Sequence, residues 1–511
     1  MDLKNDTSRR EQQQRLMILA LLCVTLVQCA GQPQTPSSAA PVTKSAPEKA
    51  PEKAPGKTLE KAKSTNSFVD SICVATHLGY TDTSYGTKYS VVKQKLADLG
   101  VRHLRDSGSS DEIVGKMKEL ASVGIKTTFM LDPNLGIAPN SSYWVKPPSY
   151  NIHDFVLKKV GTNVIDAVEA LNEIDLFYDN YYWHPGDTAK VNNDPNSPLY
   201  WLPYVRSITK DTWTALKSDP ATAKVKVIGP SLGVTYDYGH KSPLGDLSRY
   251  VDWGNFHPYP NGGNPFNTPF KYDTIEKYYW QGNFPSVNID QSPFAFDVYA
   301  PPFGPKPMAA TETGYFTNAT PKGISERMHG KYIPRLFLEY FRKGIVRTCS
   351  YEFVDTWKNP SDPQANYGML LNDLSPKPAY TALKNLISVL KDPGPSFKTG
   401  SLNYTLNFKP PAGYERTEYV HNLLLQKRDG TFYLVLWHEI SNGDISSTPV
   451  REITPPAIPT TVKLTKPISL VRVYSLDDAG NMSEATTTIK NNTISLNVPD
   501  KVTIVKLTPR K

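Results

Sequence analysis

The chain has 511 residues, a length that excludes a single ordinary domain and indicates two domains with further segments attached. With 39% hydrophobic and 21% charged residues, its composition is that of a soluble globular protein. The net charge of +8 is modest and lies partly in the lysine-rich stretch before residue 66, so we expect no nucleic-acid partner.

Residues 1–30 carry the features of an export signal. The apolar run Leu16–Val27 is too short to span a bilayer comfortably, which favours a signal over the alternative of a membrane anchor. The positive charge that precedes this run comes from Arg9, Arg10 and Arg15. We therefore expect a secreted or otherwise extracytoplasmic protein.

Two processing sites remain open at the end of this signal. Leu26-Val27-Gln28-Cys29 resembles a bacterial lipobox, in which the cysteine is lipidated and becomes the mature N-terminus. Gln28 stands where a small residue is usual, so cleavage after Ala30 by an ordinary signal peptidase is the alternative. A lipid on Cys29 would anchor the protein at the bacterial cell surface or in the periplasm, and we expect no other membrane contact.

Residues 31–66 are predicted to form a linker. They include a short Ala-Pro-Glu-Lys repeat between Ala46 and Pro55. Proline disfavours helix and sheet, and alternating charge keeps such a segment solvated. We expect a semi-extended tether that holds a domain away from a surface.

Between residues 67 and 395, predicted strands and helices alternate. The strands are Ser71–Thr76, Val101–Arg105, Lys126–Leu131, Val164–Leu171, Val225–Ile228, Trp253–His257, Met308–Glu312 and Val346–Phe353. The helices are Lys88–Leu99, Glu112–Val123, Ile152–Val160, Leu202–Lys217, Leu244–Val251, Ile275–Tyr279, Ser325–Arg342 and Pro378–Leu390. Because polar residues suited to chemistry follow several of these strands, the pattern favours an α/β fold of the (β/α)8 (TIM) barrel type over a doubly wound sheet.

Residues 396–511 are predicted to form an all-β sandwich. Its strands are Leu402–Phe408, Tyr419–Lys427, Thr431–His438, Thr460–Leu464, Leu470–Ser475, Ala485–Ile489, Thr493–Val498 and Val502–Leu507. Two roles are open for this domain. An exposed row of aromatic side chains would favour sugar binding, whereas an apolar face docked on the barrel would favour a structural buttress, which is our preferred interpretation.

The cysteines indicate no metal site. Cys73 and Cys349 lie in the folded part, and the sequence has neither a CxxC motif nor a Cys/His cluster. We expect no metal and no organic cofactor. If the first and last strands of a barrel are neighbours, these cysteines can form a disulfide, but two buried free thiols are the favoured interpretation.

Two glutamates follow predicted barrel strands. Glu173 comes directly after Asn172 at the end of the fourth strand, and Glu312 ends the seventh. Barrels place their chemistry at the carboxyl ends of strands, and strands four and seven face each other across the mouth. A retaining glycosidase needs two such carboxyl groups, one as acid/base and one as nucleophile.

These motifs resemble the signature of the retaining barrel glycosidases known as clan A, over about residues 67–391. The Asn-Glu pair after strand four and the glutamate after strand seven match, as does the segment Gly100–Arg105 of strand two. The resemblance implies that Glu173 is the acid/base, that Glu312 is the nucleophile and that Arg105 keeps this nucleophile ionised.

Further positions match the clan and imply supporting roles. In His257-Pro258-Tyr259, the tyrosine would donate a hydrogen bond to the nucleophile and the histidine would lie near the acid/base. Asn172 would donate to a sugar 2-hydroxyl. Trp357 resembles the tryptophan floor of the −1 subsite, and Tyr315 and Glu352 are further cleft residues.

One segment departs from the pattern of family 5, which usually offers a histidine after strand three. Here the segment reads Met130-Leu131-Asp132-Pro133-Asn134, and Asp132 or Asn134 can take that place. A barrel followed directly by a β-sandwich is more similar to families 39, 30 and 79.

The sequence therefore predicts a secreted or surface-tethered, monomeric retaining glycosidase. Long loops after strands four and six favour a polysaccharide substrate with β-glycosidic bonds. One alternative is a non-catalytic carbohydrate-binding lipoprotein, although binding alone does not require both glutamates. Another is an inverting enzyme, which would hold its carboxylates farther apart.

Overall fold

The computed structural model describes most of the chain after residue 57, in a compact unit that spans Lys57–Lys511. The predicted export signal, the Ala-Pro-Glu-Lys repeat and the helix predicted at Ile275–Tyr279 lie outside the described residues. Among the described residues, no helix combines the length and the apolarity needed to cross a bilayer. The described ranges are 58–144, 150–182, 189–233, 242–260, 262–266, 296–318, 323–359, 361–444, 447–465 and 467–510.

Eight parallel strands form a closed barrel. Each strand except the fifth pairs with the next in sequence, and the last pairs with the first. An isolated parallel bridge between Ile228 and Trp253 joins the fifth strand to the segment entering the sixth. The strands are β1 (Ile72–Ala75), β2 (His103–Asp106), β3 (Lys126–Met130), β4 (Ile165–Glu169), β5 (Lys226–Ile228), β6 (Gly254–Phe256), β7 (Met308–Thr313) and β8 (Arg347–Ser350). The predicted barrel is confirmed.

Helices surround the barrel at most of the predicted positions. The long ones are α1 (Tyr89–Leu99), α2 (Asp111–Ser122), α3 (Trp201–Lys217), α4 (Glu326–Arg342) and α5 (Pro378–Leu390). Short helices are Thr65–Asp70, Ser84–Thr87, Ile152–Asp154, Ile174–Phe177 and Phe296–Tyr299, with a π-helical turn at Phe155–Val160. Single 3-10 turns are Pro133–Leu135, Ser141–Tyr143, Tyr178–Asn180, Ser248–Tyr250, Pro301–Phe303, Pro363–Asn366 and Thr417–Tyr419.

The helix predicted between β5 and β6, at Leu244–Val251, is wrong. That segment holds only the 3-10 turn Ser248–Tyr250. The carbonyl of Leu244 accepts from the guanidinium of Arg206 at 2.7 Å, and the amide of Leu247 donates to Pro302 at 2.8 Å. Tertiary partners thus take the backbone groups that a helix would have used.

The C-terminal region is a sandwich of two antiparallel layers. Its strands are β9 (Ser401–Phe408), β10 (Val420–Gln426), β11 (Phe432–His438), β12 (Ile458–Leu464), β13 (Ile468–Leu476), β14 (Met482–Thr486), β15 (Thr493–Val498) and β16 (Thr503–Pro509). One sheet has the order β9-β12-β15 and the other β10-β11-β16-β13-β14. Two small pairs lie outside these sheets, Ile137–Ala138 with Tyr150–Asn151 and Gly443–Asp444 with Arg451–Glu452.

The end of the predicted linker belongs to the sandwich. Thr58–Lys61 pairs with β9 at the edge of one sheet, and Lys63–Ser64 pairs with β10 at the edge of the other. The prediction extended the linker to residue 66 because the lysine-rich composition of this stretch masks its short strands. The chain therefore contributes to the sandwich before it enters the barrel.

The second sheet of the sandwich docks on the barrel. Tyr433, Val435 and Trp437 of β11 share one hydrophobic core with Tyr332 and Leu336 of α4, and all five side chains are buried. No aromatic side chain of the described sandwich residues is exposed. This arrangement supports the buttress interpretation over a sugar-binding row.

A disulfide joins the first and last barrel strands. Cys73 of β1 and Cys349 of β8 are direct register partners, fully buried and covalently linked. The favoured interpretation of two free thiols is wrong, because barrel closure brings their side chains to adjacent positions. Such bonds persist in oxidising compartments.

Candidate active site

The predicted site residues gather at the carboxyl ends of the barrel strands. Arg105 lies in β2 and Glu312 in β7, whereas β4 ends at Glu169, before Asn172 and Glu173. Asn172 and Glu173 therefore occupy a segment that continues past the strand. The amide of Glu173 donates to the hydroxyl of Ser231 at 3.3 Å, which ties this segment to the one after β5.

Glu173 has a left-handed backbone conformation, with φ 41° and ψ 44°. Non-glycine residues rarely adopt this region, and such strain is concentrated at functional sites. The conformation ends the extended segment and begins the short helix Ile174–Phe177. It places the Glu173 side chain beside His257.

Glu312 is held by two donors, one to each carboxylate oxygen. The guanidinium of Arg105 donates to Oε2 at 2.8 Å, and the hydroxyl of Tyr259 donates to Oε1 at 2.6 Å. Burial by itself raises the pKa of Glu312, but the charges of His257 and Arg105 and the Tyr259 hydrogen bond together hold it below its usual value. The carboxylate is therefore ionised at neutral pH, as a nucleophile must be.

Arg105 connects both sides of the site. Its Nε donates to Oε2 of Glu169 at 2.6 Å, and its second terminal nitrogen donates to Oε1 of Glu169 at 3.0 Å. The same nitrogen donates to Oδ1 of Asn172 at 2.6 Å. Burial lowers the pKa of the guanidinium, yet the charges of Glu169 and Glu312 outweigh burial and raise it. Arg105 remains a cation in the barrel interior.

Asn172 is oriented by that contact. Because its Oδ1 accepts from Arg105, its Nδ2 must point the other way. The residue is only partly buried. Its amide donor is thus held ready for an acceptor in the cleft, in agreement with the role that the family resemblance implies.

His257 supports Glu173 from the end of β6. Its Nδ1 lies 2.7 Å from Oε1 of Glu173, and its Nε2 lies 3.0 Å from the hydroxyl of Thr311. Burial lowers the pKa of the imidazole, but the nearby carboxylates of Glu169, Glu173 and Glu312 raise it to about 9. The ring is therefore protonated at neutral pH and donates to Glu173.

The two predicted catalytic carboxylates lie close together. One oxygen of Glu173, one ring nitrogen of His257 and one oxygen of Glu312 are all within 4.8 Å of one another. The side chains of Glu173 and Glu312 are 15% and 14% exposed, so a ligand can reach both. A reacting atom can sit between an ionised carboxylate and a second carboxyl group.

The other predicted cleft residues have different surroundings. Trp357 follows β8 and donates to Asp362 at 3.2 Å, so its place beneath a sugar stays a prediction. Tyr315 is only 2% exposed and packs against Tyr332 of α4, with ring centroids 5.1 Å apart. Glu352 is fully buried, and its Oε1 accepts from the hydroxyl of Thr356 at 2.7 Å. Tyr315 and Glu352 are therefore part of the interior.

The sequence prediction missed an aromatic wall beside Glu312. Tyr351 directly follows β8, and its ring lies 5.3 Å from that of Tyr367, which in turn lies 5.8 Å from Tyr259. His77, just after β1, packs edge-on against Tyr351 at 5.6 Å. Burial and then the charge of Glu312 raise the pKa of Tyr367. In the sequence, Tyr351 and His77 could have been recognised as cleft residues because each lies near the carboxyl end of a predicted barrel strand.

Comparison with known proteins establishes the fold. No protein-family model matches the chain, and no curated protein matches its sequence. A solved structure of a family 39 glycoside hydrolase from the gut symbiont Bacteroides cellulosilyticus WH2 is similar at 15% identity, over 87% of this chain and 82% of that one, with a TM-score of 0.51.

Two further solved structures are similar to this chain. The catalytic domain of GH30 xylanase C from Talaromyces cellulolyticus has 13% identity over 89% of this chain and 99% of that one, with a TM-score of 0.47. CelM2, a bifunctional glucanase-xylanase from a metagenome library, has 11% identity over 88% and 97%, also with a TM-score of 0.47. The structural neighbours thus include glycoside hydrolases of families 39 and 30. The family 39 structure supports the fold of this chain.

Proposed function

We propose that this protein is a retaining glycoside hydrolase that cleaves β-glycosidic bonds by double displacement. The observation that carries the proposal is the approach of Glu173 and Glu312 to within 4.8 Å, with Arg105 and Tyr259 both donating to Glu312. Retaining enzymes hold their carboxyl groups about 5–5.5 Å apart, whereas inverting enzymes need about 6.5–9.5 Å to admit a water molecule. The spacing supports the retaining mechanism.

In the first step, an oxygen of Glu312 attacks the anomeric carbon. The bond from this carbon to the glycosidic oxygen breaks, and the proton of Glu173 passes to that leaving oxygen. The products are a covalent glycosyl-enzyme and a free alcohol. Asn172, with its amide donor turned away from Arg105, is placed to bind the hydroxyl next to the reacting carbon.

In the second step, Glu173 acts as a base. It takes a proton from water, whose oxygen attacks the anomeric carbon from the side that the leaving group vacated. The ester to Glu312 breaks, and its carboxylate returns to the hydrogen bonds from Arg105 and Tyr259. Two inversions at one carbon give net retention.

The location outside the cytoplasm is part of the same proposal. The export-signal features of residues 1–30 support it, and so does the Cys73–Cys349 disulfide, which suits an oxidising compartment. The tether before Thr58 would then hold the enzyme near a surface. A polysaccharide with β-linkages is the substrate class that we infer, with a lipid on Cys29 as the anchor.

The test is hydrolysis of a panel of aryl β-glycosides and β-linked polysaccharides, with aryl α-glycosides as controls. We expect turnover of β-substrates only, and proton NMR of the first product should show the β-anomer. An α-anomer as first product would indicate inversion. Sugar binding without turnover would favour the non-catalytic binding protein instead.

Replacing Tyr259 by phenylalanine should displace the acidic limb of the kcat/KM profile. In the wild type, the hydrogen bond from Tyr259 lowers the pKa of Glu312. Without this bond the pKa rises, and the nucleophile becomes protonated at a higher pH. A hydrogen bond to a charged group is worth about 1.5–3 kcal/mol, which corresponds to roughly 1–2 pH units. The measurement is kcat/KM against pH.

The matched control for this change is Tyr380→Phe. Tyr380 of α5 is buried and donates to the carbonyl of Lys95 on α1 instead of to a carboxylate. Its removal should leave the acidic limb in place. An unmoved limb in Tyr259→Phe would mean that the hydroxyl does not control ionisation of the nucleophile.

A further inference from the structure

Glu169 is a buried carboxylate that the reaction described above does not use. It is the last residue of β4 and has no exposed surface. Arg105 binds it through two nitrogens, at 2.6 and 3.0 Å, and the Nδ2 of Asn255 donates to its Oε1 at 3.2 Å. The same Oε1 lies 3.8 Å from Nε2 of His257. A buried charge is retained at such a position only when it is fully paired.

Its two cationic neighbours serve different catalytic carboxylates. Arg105 also donates to Glu312, and His257 also contacts Glu173. Acidic and basic side chains therefore alternate through the site, from Glu173 through His257, Glu169 and Arg105 to Glu312. Glu169 contacts both of these cations and is itself fully buried.

We propose that Glu169 is a positioning residue that couples the ionisation of Glu312 to that of His257, the partner of Glu173, by holding Arg105 on one side and His257 on the other. The inference rests on the proposed function and deepens it. Glu169 touches neither substrate nor reacting atoms. It acts through Arg105 on one side and through His257 on the other.

The direction of this coupling follows from the charges. Burial first raises the pKa of Glu169, but Arg105 and His257 outweigh burial and hold it at about 2, so Glu169 is an anion throughout the working range. Its negative charge raises the pKa of Glu312 and of His257. The charged and titratable groups of this alternating set and around it are Arg105 from β2, Glu312 from β7, Glu173 after β4, His257 and Tyr259 after β6, and Tyr181.

Glu169→Gln should therefore move both limbs of the kcat/KM profile in the same direction. Without the negative charge, Glu312 ionises at lower pH, which moves the acidic limb. His257 also loses its proton, and so its role as donor to Glu173, at lower pH, which moves the basic limb. A nearby charge shifts a pKa by about 1–3 units, so we expect each limb to move toward acid by about one unit or more. A variant that only loosened the fold would lower kcat without moving the whole profile.

The chain offers a matched control on the same strand. Asp166 lies at the other end of β4 and pairs with Arg347 at 3.1 Å and with Nδ1 of His103 at 3.1 Å. Asp166→Asn thus also removes a partly buried carboxylate from an arginine and a histidine, but at the opposite end of β4 from Glu169. We expect a loss of stability with both limbs unchanged.

Glu169→Asp keeps the charge and shortens the side chain. It should lower kcat through poorer placement of Arg105 while leaving both limbs near their original pH. If Glu169→Gln does not fold, Glu169→Asp is the deciding variant. Because it keeps the negative charge, a shift of either limb of its kcat/KM profile would overturn the proposal.

A direct titration separates this inference from the proposed function. The chain contains 9 histidines, and their nitrogen-15 resonances can be followed against pH, with His257 assigned through His257→Gln. His257 should lose its proton about one unit lower or more in Glu169→Gln than in the wild type, and at the wild-type pH in Asp166→Asn. An unchanged His257 titration would overturn the coupling.

The two failures are then distinct. If the wild type hydrolyses no glycoside, the proposed function fails, whereas a shifted His257 titration would still support the coupling. If the wild type is active and Glu169→Gln moves only one limb, or moves the limbs in opposite directions, the shared role of Glu169 fails while the glycosidase assignment stands.

Discussion

Replacing Glu312 by alanine is expected to lower kcat/KM by at least about 10³-fold, with folding preserved. Without the carboxylate no glycosyl-enzyme can form, and several kcal/mol of transition-state stabilisation are lost. The measurement is hydrolysis of the best substrate from the β-glycoside panel. Glu119→Ala is the control, because Glu119 of α2 is half exposed and pairs with Lys93 of α1 at 2.8 Å.

The partner change, Glu173→Ala, should show a dependence on the leaving group. Loss of the acid should slow poor leaving groups by about 10³-fold or more, but good ones much less, since these depart without a proton. External azide should restore turnover and give a β-glycosyl azide. Activity that survives both alanine changes would place the chemistry on other residues and remove the basis of the assignment.

Replacing Arg335 by alanine is expected to be the most destabilising single change at the junction of barrel and sandwich. Arg335 lies on α4 with no exposed surface, and its Nε donates to Oε2 of Glu439 at 2.9 Å. It also donates to Asn442 at 3.0 Å and to the carbonyl of Ile440 at 2.9 Å. Removing one partner of a buried ion pair leaves an uncompensated charge and costs about 3–5 kcal/mol.

The measurement is the thermal midpoint of unfolding, which should fall by on the order of 10 °C. Arg472→Ala is the control, because Arg472 of β13 forms a surface ion pair with Glu484 in which both side chains are about 40% exposed. Exposed pairs contribute little, so this change should leave the midpoint almost unmoved. Equal effects of the two substitutions would mean that the buried pair adds no stability.

Much of the barrel was predictable because its strands are buried apolar runs and its helices are amphipathic. The bounds of α5 were predicted to the residue, since Pro378 suits a first helical turn and apolar residues follow at helical spacing. The helix predicted at Leu244–Val251 failed because Arg206 and Pro302 take its backbone groups. Such long-range partners leave no trace in local periodicity.

The candidate active site was likewise predicted only in part. The structure brings Glu173, Glu312, Arg105, Asn172, His257 and Tyr259 together around one cleft. Glu169 was missed because a carboxylate inside an apolar run looks like an outward-facing strand residue. Only barrel closure reveals that it points inward at Arg105 and His257. Tyr315 is buried against Tyr332 of α4, and its role in the cleft stays a prediction.

The strands at Thr58–Lys61 and Lys63–Ser64 also act as covers. Each occupies an outer position of its sheet, so together they shield the backbone of β9 and of β10 from solvent. Unpaired edges are templates for pairing with other chains, which is a common route to aggregation. A chain shortened to begin at residue 67 would keep every catalytic residue, but it would leave the edges of β9 and β10 unpaired. We expect such a chain to aggregate while its active site is still intact.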